Sequence, residues 1–122
     1  MLSFTDYLAR YPQEAAFGDE EPAVVFDRYH APGFTLHNDG LTLDRDRIVA
    51  HIRPVRRNAV AADVDIHQAL TRGDQVAARY TLTARMRSGA VVATDIHVIG
   101  RVADDGRMLR LDQLTRTVEG DG

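Results

Sequence analysis

The residues best suited to chemistry in this sequence are Asp95 and His97, in the run Thr94-Asp95-Ile96-His97. An aspartate beside a histidine can hold, donate or move a proton. A carboxylate on an apolar sheet face must be paired, protonated or set in a polar pocket, and burial of this kind is how enzymes prepare an acid or a hydrogen-bond donor. Whether the two residues face the interior depends on turn length, because a one-residue slip turns every side chain of a strand to its other face. Ser88-Gly89 suits a two-residue turn, which sets Met86 opposite Val91, Leu82 opposite Asp95 and Tyr80 opposite His97. Asp95 and His97 are then expected on the apolar face with Tyr80, Leu82 and Met86. The same placement allows an inert alternative, in which His97 and Tyr80 satisfy Asp95 in an internal network.

The next turn extends this face. Asp104-Asp105-Gly106 suits a three-residue turn with glycine in the left-handed position, which sets Leu111 opposite Ile99 and Gln113 opposite His97. Ile99, Leu111 and Gln113 therefore join the expected pocket wall, while Met108 and Leu114 point away. On the other face, Asp63, Asp65 and His67 lie next to Arg79, Thr81 and Thr83. Their D-x-D-x-H spacing reads as a solvated charge face rather than a metal site, given the neighbouring arginine. The five histidines, His30, His37, His51, His67 and His97, have no tight ligand spacing, and no metal is expected. The chain also lacks a Gly-x-Gly-x-x-Gly run, a phosphate-binding glycine loop and a Gly-x-Ser-x-Gly elbow, so no cofactor is expected and a serine hydrolase mechanism has no support.

These strands follow a helical N-terminal region. Ser3 with Asp6 resembles a capping box, and Phe4, Tyr7, Leu8 and Tyr11 recur at helical spacing up to Pro12, where the helix ends or restarts. Asp19, Glu20, Glu21 and Pro22 start a second helix with Val25, Phe26 and Tyr29 as its buried stripe. Ala31-Pro32-Gly33 breaks it, and Phe34-Thr35-Leu36-His37-Asn38 reads as a short strand ending at Asp39-Gly40. A third helix runs from about Asp44, with Pro54 marking its fraying end and Arg53, Arg56 and Arg57 as a solvated cationic terminus. From residue 62 the apolar period becomes two, giving four strands, and 119–122 reads as a frayed tail. The fold class expected is α+β: a single domain over 1–122, with three N-terminal helices packed on a curved antiparallel β-sheet that encloses a pocket.

Composition narrows the function. At 122 residues, 44% hydrophobic and 27% charged, the chain has the size and make-up of one globular domain. The absence of cysteine excludes disulfides, thiolate metal sites and thiol nucleophiles. A net charge of -3 argues against nucleic-acid binding. All fifteen basic residues are arginine, which we attribute to genomic base composition. The N-terminus has no cationic start followed by a continuous apolar stretch, and no window reaches membrane-span length, so a cytoplasmic location is expected.

The order of elements resembles the nuclear transport factor 2-like cone fold, which includes SnoaL-like polyketide cyclases and ketosteroid isomerases. The local pieces that carry the resemblance are Ala9-Arg10-Tyr11 with Gly18-Asp19, Tyr29 with Phe34-Thr35-Leu36-His37-Asn38, and Thr94-Asp95-Ile96-His97 with Asp104-Asp105-Gly106-Arg107-Met108. The resemblance implies a pocket for small apolar molecules lined by the sheet and the first strand, hence by Phe34, Leu36 and Asn38. Isomerase-like oxyanion donors would fall on Tyr11 and Asp95, and the isomerase base position on His37 or Asn38, where the isomerases have aspartate. The cyclase histidine would fall on His97, and the cyclase aspartate position at about Gln113.

Two readings follow. One is a cofactor-independent isomerase, cyclase or hydrolase acting on a small apolar carbonyl compound or epoxide, with Asp95 and Tyr11 as donors and His97 or His37 moving a proton. The other is a non-catalytic ligand-binding or dimerisation module. Under either, Val92, Ile96, Val98 and Val102 are expected on the outer sheet face, where they would pair with a second subunit.

Overall fold

The computed structural model describes residues 2–118. The expected tail at 119–122 lies outside the described residues. The first helix, α1, runs Phe4–Phe17, with the Ser3 side chain accepting from the Asp6 amide at 3.1 Å. Pro12 neither ends nor restarts it. Proline removes one backbone bond, but Phe4, Tyr7, Leu8 and Ala15 are buried along the helix on both sides of it, and tertiary packing of this kind offsets the local cost. The second helix, α2, is Pro22–Tyr29, and the third, α3, is Arg45–Asn58. The Asp44 carboxylate caps α3 by accepting from the Arg47 amide at 3.0 Å. Pro54 lies within α3 rather than at its end.

Between α2 and α3, strand β1 spans His30–Asn38 and β2 spans Leu41–Leu43. β1 is longer than the sequence pattern suggested because it starts directly after α2 and takes Pro32 and Gly33 into its irregular first half. Asp39 and Gly40 join the two strands with positive φ at both residues, 51° and 88°, as a tight hairpin turn requires. Four long strands follow: β3 Ala59–Arg72, β4 Gln75–Met86, β5 Val91–Val102 and β6 Met108–Val118. The sheet order is β2-β1-β6-β5-β4-β3. Every pair is antiparallel except β1 with β6, so the sheet is mixed, not purely antiparallel. A parallel pair needs a long connection, and here β2, α3 and three long strands lie between the two.

Three helices pack on one face of this curved, unclosed sheet. The core joins Phe4, Tyr7, Leu8, Val25, Phe26 and Tyr29 of the helices to Phe34, Val76, Ala78, Ile96, Val98 and Leu111 of the strands. None of the described helices is long and apolar enough to cross a membrane.

The β4–β5 register differs from the expected one by a single residue. The connection is three residues long, with the Met86 amide donating to the Ala90 carbonyl at 2.8 Å and Gly89 at φ 95°. Tyr80 consequently pairs with Ile96, Thr81 with Asp95, and Arg79 with His97. Ile96 and Val98 are buried in the core and Val102 packs against it, with Val92 in the same inward phase. These four do not form the outer face, contrary to expectation, and Asp95, His97 and Ile99 take the outer phase instead.

The Asp104-Asp105-Gly106 turn is three residues long, as expected, with the Ala103 amide donating to the Arg107 carbonyl at 2.8 Å. An irregularity next to Val102 then shifts the register, so that Gly100 faces Leu111, Val98 faces Gln113 and His97 faces Leu114. The expected Ile99–Leu111 and His97–Gln113 pairs are therefore absent, although Leu111 and Gln113 still point toward the helices. In β3, Ile66 pairs with Tyr80, and a second irregularity at His67 turns Leu70 outward and Ala69 inward.

Candidate functional site

Helices α1, α2 and α3, strand β1 and the inward face of β4 and β6 line a cleft of ≈170 Å³. From the helices come Tyr7, Leu8, Tyr11, Pro12, Phe26 and Ile48, and from the strands His30, Phe34, Leu36, Tyr80, Leu111 and Gln113. No carboxylate or arginine is among them. Of the residues singled out in the sequence, the structure brings together Tyr11, Phe34, Leu36, Tyr80, Leu111 and Gln113. Asn38 borders this group, since its side-chain oxygen accepts from Gln113 Nε2 at 3.1 Å. Leu82 packs against the core from the inward phase, and Met86 shares that phase near the strand end without lining the cleft.

Sequence reasoning missed the most buried polar group of the site. His30 is 3% exposed and forms the junction between α2 and β1. Its Nδ1 lies 2.8 Å from the Phe26 carbonyl, which can only accept, so Nδ1 carries the proton. Nε2 is then the acceptor for the Tyr7 hydroxyl, at 2.8 Å. Burial pushes the imidazole pKa down from 6.5 to about 4, against smaller opposing effects of the Phe26 carbonyl and Asp27, and the ring is neutral at pH 7. Phe26 stacks on it with ring centres 4.0 Å apart, and Tyr11 meets it edge-on at 4.7 Å. The signal available in the sequence was its place four residues after Phe26, one turn on from a helix carbonyl that needs a donor.

Three phenols share this environment. Burial raises the Tyr7 hydroxyl well above its usual range, and the nearby phenols of Tyr11 and Tyr80 add to that effect. Burial alone raises Tyr11, and it raises Tyr80 to about 12, so all three are protonated donors at neutral pH. Tyr7 is committed to His30. Neither the Tyr11 nor the Tyr80 hydroxyl has a hydrogen-bond partner among the described residues. No fully buried side-chain oxygen or nitrogen among these residues lacks a partner, so both hydroxyls reach accessible space.

The expected acid and imidazoles lie elsewhere. Asp95 is on the outer face, accepting from Thr81 Oγ1 at 2.8 Å and from Arg116 Nη2 at 3.0 Å. These bonds, Thr81 first, lower its pKa, the reverse of the elevation expected for a carboxylate among apolar side chains. Because the Thr81 hydroxyl donates to Asp95, His67 Nε2 donates to Thr81 at 2.8 Å, and one polar row crosses four strands. His97 and Ile99 are exposed on that same face. His37 faces outward too, with Nδ1 3.0 Å from Thr42 Oγ1. It lines an outer depression of ≈610 Å³ together with Arg79, His97, Ile99, Asp112 and Leu114. Among the described residues no group of three or more His, Asp or Glu side chains is placed to hold a metal ion.

The fold and an aromatic cleft between helices and sheet define the class, and sequence agrees: a family model described as the SnoaL-like domain matches residues 9–111. The chain belongs to this family, within the nuclear transport factor 2-like superfamily. Among solved structures, a nuclear transport factor 2-like protein of unknown function from Exiguobacterium sp. 255-15 is similar at a TM-score of 0.72 and 16% identity, covering 93% of this chain and 98% of that one. A protein from Shewanella denitrificans OS-217, proposed to be a SnoaL-like polyketide cyclase, is similar at 0.68 and 12% identity, covering 87% and 85%. AclR from Streptomyces galilaeus, proposed to be a hydroxylase, is similar at 0.64 and 14% identity, covering 75% of this chain and 66% of its own. Likeness at these identities shows the fold alone. No curated protein matches the sequence.

Proposed function

We propose that the cleft binds a small, uncharged, largely apolar carbonyl compound and polarises its oxygen through the Tyr11 and Tyr80 hydroxyls. The observation that carries this reading is the pair of protonated phenols without partners among the described residues, on a largely apolar, aromatic wall. Donors fixed in a dry site act on developing oxygen charge more strongly than donors in water. The relatives proposed to be a cyclase and a hydroxylase suggest that polarisation leads to a reaction, and a cofactor-independent isomerase, cyclase or hydrolase fits the fold. Such chemistry would need a proton acceptor. His30 is the one imidazole on the cleft, and with a pKa near 4 and Nε2 occupied by Tyr7 it is a weak base, so binding with polarisation is the step the geometry favours. Calorimetric titration with acetophenone tests this reading: Tyr11→Phe and Tyr80→Phe should each weaken binding about tenfold, the worth of one hydrogen bond. Unchanged affinity in both variants would remove the proposal.

A second reading, self-association, is favoured by the outer face. Leu70, Ile99 and Leu114 are 62%, 67% and 69% exposed there, and Leu70, Ala77 and Ile99 form one cross-strand row. Depressions of ≈610 and ≈660 Å³ flank that row, larger than the cleft but open and rimmed by Arg79, Arg101 and Arg110. A patch of this kind suits an isologous homodimer, and it replaces the valine and isoleucine set expected from sequence. Light scattering at high micromolar concentration should give a dimer mass, and Ile99→Arg a monomer mass; a monomeric parent protein would exclude this role.

A further inference from the structure

We infer that the ligand of the cleft is a single-ring aromatic ketone or aldehyde, and not a multi-ring compound or an acid. This rests on the reading of the cleft as a carbonyl-binding site and narrows it by size, wall chemistry and charge.

Size comes first. A cleft of ≈170 Å³ is close to the engineered cavities of about 150 Å³ that accept benzene, and well below the roughly 300–1,000 Å³ that enclose larger ligands. The walls have little room to yield. Tyr11 is wedged against Tyr7 in a stack at 5.5 Å and meets Phe26, Tyr29 and His30 edge-on, while Phe26 is held between His30 and Phe34. Interlocked rings pack at interior density, and shifting one displaces its neighbours.

The wall chemistry selects a ring. Tyr7, Tyr11, Phe26, Phe34 and Tyr80 present faces and edges to the same space, the arrangement in which a further aromatic ring gains offset or edge contacts beyond its area. Charge excludes an acid. The ionisable groups on the wall are three protonated phenols and one neutral imidazole, and none of them offers a formal cation to a carboxylate. Desolvating an unpaired carboxylate would cost more than two phenol hydrogen bonds return. An aryl ketone keeps the acceptor oxygen and carries no charge.

The test is a calorimetric series at pH 7 on the whole chain: acetophenone, 2-acetylnaphthalene, a four-ring 3-keto steroid, and benzoate as the charged match of acetophenone. Acetophenone should bind at least tenfold more tightly than either the steroid or benzoate. Ile48→Ala, which removes side-chain volume from the cleft wall, should raise the affinity for 2-acetylnaphthalene. If the steroid binds more tightly than acetophenone and loses that affinity in Tyr11→Phe, the size inference is wrong while the carbonyl site stands. Benzoate binding as well as acetophenone would overturn the charge inference in the same way. If no ketone binds, the reading of the cleft fails and this inference with it.

Discussion

The Tyr7 hydroxyl donates to Nε2 of His30 at 2.8 Å, and the two side chains tie α1 to the start of β1 behind the cleft. Both ring nitrogens of His30 are satisfied, because Nδ1 donates to the Phe26 carbonyl. A buried imidazole with two partners and no charge is a structural anchor that sets where Tyr11 and Phe26 stand.

Removing that anchor's donor should be costly. Tyr7→Phe keeps the ring and strips the hydroxyl, leaving a buried imidazole lone pair without a partner. We expect a loss of about 1–3 kcal/mol in denaturant unfolding, the usual penalty for orphaning a buried polar atom. A change near zero would mean that Tyr7 does not hold His30.

The same histidine makes stability depend on pH. Unfolded, it takes up a proton near pH 6.5; folded, it does so only near 4. Between those values the unfolded chain holds more protons, so this contribution is full above pH 6.5, falls as pH falls, and is gone below about 4. A displacement of this size is worth on the order of 3 kcal/mol. Urea midpoints should therefore drop between pH 7 and 4.5, and the imidazole NMR signals of His30 should stay constant from pH 7 to 5. A His30 signal titrating near 6.5 would contradict its burial as a neutral ring.

Asp95 tests the register of the sheet. Bonded to Thr81 and Arg116 on the outer face, it should titrate below the ordinary aspartate value in carboxyl-carbon NMR. Asp95→Asn should leave affinity for a cleft ligand unchanged. A raised Asp95 pKa that moves when a ketone is added would instead place it in the pocket.

Gly100 tests the crossing of β5 and β6. A Cβ there would lie 2.5 Å from Leu111 Cδ2 and 2.6 Å from the Arg110 carbonyl oxygen. Gly100→Ala should cost about 1–3 kcal/mol through overpacking, measured by thermal or urea unfolding. A neutral result would show that Leu111 and the Arg110 backbone can both give way, and that β5 and β6 are not held this closely.

Sequence and structure agree where periodicity is strong. The apolar rows Phe4, Tyr7, Leu8 and Val25, Phe26, Tyr29 predicted two helices, and Val76 to Met86 predicted β4 with its inward face. The candidate site was less legible, for a reason that lies in two local features. Ser88-Gly89 reads as a two-residue turn, yet the chain uses Arg87 as well, and that single residue moved Asp95 and His97 from the inner face to the outer. The irregularities beside His67 and Val102 leave no mark in composition; Leu70 turns outward beside the first, and Met108, expected to point away from the core, is buried in it opposite Val102 at the second. Tyr11, Phe34 and Leu36 line the cleft, and a helix row and the first strand determine their positions without any hairpin register. His30 escaped notice because its role is made by Tyr7, far away in sequence.

The central claim is that ligands meet Tyr11 and Tyr80 in the cleft, not Asp95 and His97 on the outer face. Its most direct test is NMR of the tyrosine and histidine ring signals and the Asp95 carboxyl carbon while acetophenone is added. The account predicts saturable shifts at Tyr11 and Tyr80, with Asp95 and His97 unmoved. Shifts confined to Asp95 and His97, with both tyrosines silent, would contradict it.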